Sequence, residues 1–344
     1  MAESVAARAG ARTVKTRRVA LRRRTLLTAA SFALLPLVLT GVALAGNAGF
    51  APEPAHSPNA GRTTDAYWLI FGFTAAIFVL VEGMLVVFLV RYRNRGRPRS
   101  LEGAQVHGHT RLELIWTVIP VLILAAIGGF VFYELPAISD VPASAAGDRV
   151  NVRVDAHQFY WQFTYPDGQI SIQELHVPVG KVIDFEIHSE DVAHSFWVPQ
   201  LGGKTDAIPG RTNHTWFQPN KVGTFHGNCA ELCGLYHAFM PITVVSEPED
   251  AYRKFLKGAP AQLGKMEFDG VCATCHGIGG KGGYGPPLAG NPLVQQPQGI
   301  ETIVRNGRSG RIGLMPPVGR GWTDAQMKAL TDYLKAHMGG SSGG

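Results

Sequence analysis

With 344 residues, 46% of them hydrophobic and 17% charged, the chain has room for two or three domains, and its four cysteines fall into two tight pairs, which argues against a disulfide-built scaffold. The net charge of +6 is local: residues 1–45 hold eight Lys or Arg against Glu3, residues 91–111 hold six Arg against Glu102, and the chain from residue 112 onward is net acidic. Such a distribution is a targeting and topology signal rather than a nucleic-acid footprint, and the acidic distal portion suits a cationic protein partner.

Residues 1–45 read as a secretory signal peptide, with a basic start ending in Arg22, Arg23 and Arg24, an apolar run, and Ala43-Leu44-Ala45 before a cut. An uncleaved anchor is the rival reading, weakened by Pro36, Thr40 and Gly41. Residues 46–65 are rich in Pro, Gly, Ala and Asn and read as a loose linker. Residues 66–136 form a membrane hairpin with spans at 66–90 and 112–135, each long enough to cross a bilayer as helix. The Arg-rich loop RYRNRGRPR between them lies in the cytoplasm by the positive-inside rule, so everything after about residue 136 lies outside. Glu82 falls mid-span, where a carboxylate is costly, and reads as hydrogen-bonded to a neighbouring helix. Glu113 opens the second span, where the helix dipole favours an acid.

Residues 149–246 alternate apolar and polar positions between turn signals such as YPDG and PVGK, the pattern of an antiparallel sandwich. Residues 247–264 read as a charged linker with partial helical character, and 265–338 as a third unit. That unit closes on a helix from Thr323, capped by Thr323 with Gln326 and apolar along Met327, Leu330 and Leu334. The tail 339–344, GGSSGG, is expected to be disordered.

Two motifs carry redox chemistry. Cys272-Ala-Thr-Cys275-His276 is a haem-attachment pattern, in which two thiols add across the vinyl groups and the His is an axial ligand. An exported chain with no second C-x-x-C disfavours the zinc or dithiol readings. Met315, on a loop stiffened by Pro316 and Pro317, is the sixth-ligand candidate. Met327 reads as core, and His337 and Met338 sit too near the chain's end. The second motif, HGNCAELCGLYHAFMPIT, gathers Cys229, Cys233, His237 and Met240, with His194 upstream. Two thiolates at this spacing can bridge two copper ions with one His for each. A Cys2His2 zinc site is the alternative, and it leaves Met240 and the β context without a use.

The stretches RLELIWTVIP, HQFYWQF, SEDVAHSFWVPQLGGKTDAIPGR and CAELCGLYHAFMPI resemble subunit II of the haem-copper cytochrome c oxidases across residues 66–246, and the appended haem unit resembles the caa3-type branch. The resemblance implies a multidomain fold: a two-helix transmembrane hairpin, an all-β cupredoxin (Greek-key sandwich) domain and an all-α cytochrome c domain. It also implies a binuclear CuA centre, with Cys229 and Cys233 bridging, His194 and His237 each binding one copper, and Met240 and the Glu231 carbonyl as weak ligands. By the same resemblance the Glu231 side chain reaches a magnesium shared with subunit I, Asp206 lies at that interface, and Glu113 matches an acid at the mouth of a proton path. Phe159 and Trp161 match the aromatic electron-input motif, with Phe159 where the family usually has Trp. We read this departure as a consequence of the fused haem delivering electrons from another direction.

The implied function is that of an aerobic terminal oxidase subunit in the bacterial cell membrane, with its redox domains on the outer face. A cytochrome c donor reduces the covalent haem c, CuA follows, and subunit I, with subunit III alongside, reduces oxygen and translocates protons. A membrane-tethered electron carrier and the CuA subunit of a nitric-oxide reductase are the alternatives. Retention of the copper ligands disfavours quinol as the direct donor.

Overall fold

The computed structural model describes residues 51–93, 105, 107–145, 147–310 and 313–339. The signal peptide reading, most of the Arg-rich loop and the last five residues lie outside these. The first helix, α1, runs Pro58–Arg91, and the second, α2, Thr110–Ser139. Both are long and apolar enough to cross a membrane. The linker expected over 46–65 is therefore helical from Pro58. Proline at the first helical position is preorganised for that start, and the Thr63 and Thr64 hydroxyls return to the Asn59 and Ala60 carbonyls. The polar first turns of α1 lie against protein: Asn59 is buried and donates to the Trp216 carbonyl, while Ser57 Oγ accepts from Gln218 N at 3.0 Å. An ion pair between Arg62 and Glu134 joins α1 to α2. At the start of α2, His109 Nδ1 accepts from Leu112 N at 3.2 Å and Glu113 Oε1 accepts from His109 N at 3.1 Å, a reciprocal cap.

Ten strands form the sandwich. One sheet has the order β3-β2-β1-β5-β8, from Ile170–Ile172, Tyr160–Thr164, Arg149–His157, Val182–Ser189 and Asn213–Phe217. The other has the order β4-β10-β9-β6-β7, from Glu174–Pro178, Pro241–Glu247, Gly223–Cys229, His194–Trp197 and Thr205–Ala207. Alternation places Val152, Phe163, Phe185, Phe196, Phe225 and Val244 in the core between them. The expected antiparallel pairing is incomplete: β1 with β5 and β4 with β10 are parallel. Period-two alternation fixes which face a side chain takes, but not which strand lies alongside, and the excursion through β2–β4 brings these ends together in parallel.

The linker expected over 247–264, with partial helical character, is helical over nearly its whole length as α3, Glu249–Glu267, so the third unit begins inside an element that both domains share. Arg253 pairs with Glu249 one turn away, and Tyr252 and Phe255 pack on the sandwich. Phe255 stacks on His176 with centroids 3.7 Å apart, and His176 is itself held by Glu174 and Glu247. The other end of α3 passes through a π-turn, Phe268–Cys272, into the short helical turn Ala273–His276. The domain is completed by α4, Pro297–Asn306, a two-strand ribbon pairing Arg308 with Met315, and α5, Asp324–Met338, whose Thr323–Gln326 capping box is present. Met327, Leu330 and Leu334 are buried as expected. Met338, dismissed as near a fraying end, is buried too, its sulfur lying over Gly280.

The two domains share an interface. On β2, Trp161 points into the sandwich core, while Tyr160 points outward and is nonetheless 0% exposed, because it enters the core of the C-terminal domain. Its hydroxyl donates to the Val318 carbonyl at 2.9 Å and accepts from Trp322 Nε1 at 2.8 Å. Close to it, Gln326 Nε2 donates to Gln162 Oε1 at 2.9 Å.

The α3–α5 crossing depends on Gly264, where an added Cβ would stand 2.1 Å from the Ala329 carbonyl oxygen. Gly264→Ala is expected to destabilise the C-terminal domain by about 1–3 kcal/mol, read as a lowered thermal midpoint of the haem absorbance. An unchanged midpoint would contradict this packing.

Candidate metal centre and haem pocket

The loop between β9 and β10 carries Cys229 to Met240. Its ends are closed by Cys229 N donating to the Met240 carbonyl at 3.0 Å, and it is tied to β6 by Ala230 N donating to the Ser195 carbonyl at 2.9 Å. Pairing of Phe196 with Cys229 sets His194 beside the loop. The donors then fall into two lobes around a pair of thiols whose Sγ atoms are 3.9 Å apart. Cys229 Sγ lies 3.8 Å from His194 Nδ1 and 3.2 Å from the Glu231 carbonyl oxygen. Cys233 Sγ lies 3.5 Å from His237 Nδ1 and 3.9 Å from Met240 Sδ. The ligand atoms of His194, Cys229 and Cys233 lie within 4.8 Å of one another, and His237 falls outside that set. This is unlike a single tetrahedral Cys2His2 site and matches two metal positions sharing two sulfurs.

Two buried thiols this close repel as thiolates. Burial pushes Cys229 up, but the His194 imidazole and backbone donors outweigh it and bring Cys229 to about 6. Burial and the charge on Cys229 push Cys233 up to about 12. A cationic centre is what lets both sulfurs ionise, so the donor set fits copper. His194 is oriented by Asp191, a residue the sequence reading did not single out: His194 Nε2 donates to Asp191 Oδ1 at 2.8 Å, leaving Nδ1 for the metal side. Burial pushes Asp191 up, yet the donors on it, His194, Gln158 N and Val192 N, hold it below the usual range. The spacing D-x-x-H was the available signal.

The other site candidates are spread around this centre. Trp161 is buried edge-on to His194, with centroids 6.0 Å apart, and Phe159 is half-buried, so neither stands free on the surface. Asp206, opposite Ser195 on β7, accepts from Ser195 Oγ at 2.8 Å and from Lys204 at 3.1 Å, and these donors hold it below the usual carboxylate range. The Glu231 side chain is exposed. Glu113 is remote, capping α2.

In the C-terminal domain, Cys272, Cys275, His276 and Met315 all line one cavity of about 470 Å³, with Leu288, Leu293, Ile300 and Leu330 giving it apolar walls. His276 Nδ1 donates to the Pro286 carbonyl at 2.7 Å, which fixes the tautomer and turns Nε2 towards the cavity. Gly285 runs so close to this imidazole that an added Cβ would lie 3.0 Å from the ring. Met327 and Met338 do not line the cavity. An apolar slot with two thiols, an oriented imidazole and a thioether fits a haem.

Three family models match the chain: the transmembrane domain of cytochrome c oxidase subunit II over residues 45–133, the periplasmic domain of the same subunit over 171–247, and subunit III of the cbb3-type cytochrome c oxidase over 259–334. A cytochrome c oxidase subunit 2 of Alkalihalophilus pseudofirmus is 33% identical over 335 residues, covering 88% of this chain and 96% of that protein. The chain belongs to the cytochrome c oxidase subunit II family. A second relative, from Cereibacter sphaeroides, is 32% identical over 73% of this chain and 92% of its own length. The periplasmic domain of subunit II from Bradyrhizobium japonicum, a solved structure, is 37% identical and covers 32% of this chain and 92% of that one, with a TM-score of 0.31. Subunit II of this kind is a component of a haem-copper oxidase, membrane-bound with an extracytoplasmic domain. Membership implies a CuA copper centre in the sandwich and a haem in the C-terminal domain.

Two outcomes test the geometry of these sites. Asp191→Ala is expected to weaken copper retention roughly 10- to 100-fold against a competing chelator, and an unchanged affinity would mean that Asp191 does not orient His194. Glu267, at the end of α3, is 0% exposed, and burial pushes it up to about 9 from 4.5, against a smaller downward pull from the Gln326 side chain beside it. Its folded form prefers the neutral acid, so stability is full below about 4.5 and declines as pH rises towards about 9. Glu267→Gln is expected to stabilise the domain at pH 8 by about 1–3 kcal/mol and to flatten this decline, read by thermal unfolding at pH 5 and pH 8.

Proposed function

We propose that this chain is the electron-input subunit of an aerobic terminal oxidase, taking electrons from a cytochrome c donor and passing them to subunit I, where oxygen is reduced to water and protons are translocated. The carrying observation is the two-lobed donor set, His194 with Cys229 and Cys233 with His237 and Met240, around sulfurs 3.9 Å apart. When bound, the haem and the copper pair supply one-electron carriage with little rearrangement.

The chain's own residues hold these groups and keep water from them. Cys229, Cys233, His194, His237, Met240 and the Glu231 carbonyl would hold the copper pair, the two thiolates shared between the metals and one imidazole for each. Trp161 and Phe196, packed edge-on with centroids 5.5 Å apart, close the core side. Cys272 and Cys275 would anchor the haem covalently, and His276 and Met315 would hold its iron. The exposed Glu231 carboxylate would reach a magnesium shared with subunit I, and Asp206 would lie at that interface. Glu113 serves a proton path there. Glu82 is exposed on α1, so a protein environment for its carboxylate requires a second membrane subunit. Subunit III is a further partner, and the short Arg-rich loop is cytoplasmic. Phe159 replaces a docking Trp because the donor's place on the sandwich is partly taken by the chain's own C-terminal domain, which covers Tyr160.

The purified complex should give haem c absorbance together with a mixed-valence two-copper EPR signal. Cys229→Ser should abolish that signal and leave the haem. Replacing both Cys272 and Cys275 with Ala should remove covalent haem and leave the copper. A single-copper four-line signal in the parent protein would sink the assignment.

A further inference from the structure

Tyr236 belongs to the metal-ligand loop, immediately before His237 and three residues after Cys233. Its ring nevertheless lines the cavity of the C-terminal domain, beside Cys275 and His276, and it does so alone among the described residues of the sandwich. The ring stands edge-on to Phe159 on one side, 5.4 Å between centroids, and edge-on to Tyr284 of the haem domain on the other, 5.6 Å. Its hydroxyl lies against the Tyr284 hydroxyl and the Cys275 thiol, so polar as well as ring contacts hold the side chain at the cavity wall. The neighbouring interface contact, Tyr160 with Trp322, does not reach the cavity, since neither residue lines it.

Electron tunnelling weakens more slowly along covalent bonds and packed rings than across gaps. From the Tyr236 ring to His237 the path is covalent throughout, and His237 N bonding the Gly234 carbonyl at 3.1 Å keeps that turn tight. We propose that Tyr236 is the coupling residue through which an electron passes from the haem pocket to the copper-ligand loop. This rests on the reading that the fused haem feeds CuA. The step moves one electron: the haem iron is oxidised by one and the copper pair reduced by one. No bond forms or breaks, no proton moves, and the tyrosine itself is not oxidised. Phe159 then acts as a packing residue that holds the Tyr236 ring.

The test uses the complete oxidase, with the haem reduced selectively by a photo-activated one-electron donor and CuA followed by its absorbance. Tyr236→Leu is expected to slow haem-to-CuA equilibration by an order of magnitude or more, with the optical and EPR spectra and both midpoint potentials unchanged. Tyr236→Phe should keep the parent rate, because the ring and not the hydroxyl couples. A parent-like rate in Tyr236→Leu overturns the inference. Should Tyr236→Leu lose copper or haem, loss of rate in a fully loaded Tyr236→Phe would equally overturn it. Absence of internal transfer in the parent protein would instead remove the underlying reading that the haem feeds CuA.

Discussion

Two sulfur atoms 3.9 Å apart inside a protein cannot both be anions unless positive charge lies between them and their neighbours. Much of the sandwich serves to impose that proximity. The loop from Cys229 to Met240 is closed by a strand-end hydrogen bond and pinned to β6, and β6 brings His194 with Asp191 behind it. Each of these contacts is made by an ordinary backbone amide or a carboxylate. Together they hold the two sulfurs side by side, so that without a cation Cys233 keeps its proton, and binding metal is what allows the second sulfur to ionise.

The second constraint is that the two electron-carrying units share structure and do not merely adjoin. Helix α3 packs on the sandwich at one end and runs into the haem motif at the other. Tyr160 and Ile172, which belong to the sandwich by sequence, lie in the hydrophobic core of the C-terminal domain. Separating the domains would expose these side chains to water and break the Tyr160–Trp322 and Gln162–Gln326 hydrogen bonds. A linker built as loop would let the haem domain roam; this arrangement does not.

What could be read from the chain was whatever is encoded in near neighbours. The ligand spacings, the haem motif, the spans and the capping box at Thr323 are all local patterns; the capping box is present, His194, Cys229 and Cys233 cluster, and Cys272, Cys275, His276 and Met315 line one cavity. What could not be read depends on a partner far away in sequence. Tyr160 looks like an outward residue of an alternating strand until the C-terminal domain covers it. Asp191 looks like a turn acid until His194 turns towards it. Glu249–Glu267 looks like a charged tether because its two buried patches face different domains. Parallel pairing of β1 with β5 has no sequence signal, since alternation is the same for either direction.

Helix α1 is unbroken from Pro58, and its first turns are fastened to the sandwich through Ser57 and Asn59, while His56 N bonds the Gln200 carbonyl at 2.7 Å and Asn220 N bonds the His56 carbonyl at 3.0 Å. The sandwich is thus tied to the start of α1 through several backbone and side-chain hydrogen bonds. The height of the copper loop above the bilayer, and the direction it faces, are set by where α1 settles in the lipid. A change in bilayer thickness or helix tilt would then be transmitted mechanically to the face the loop presents to its acceptor.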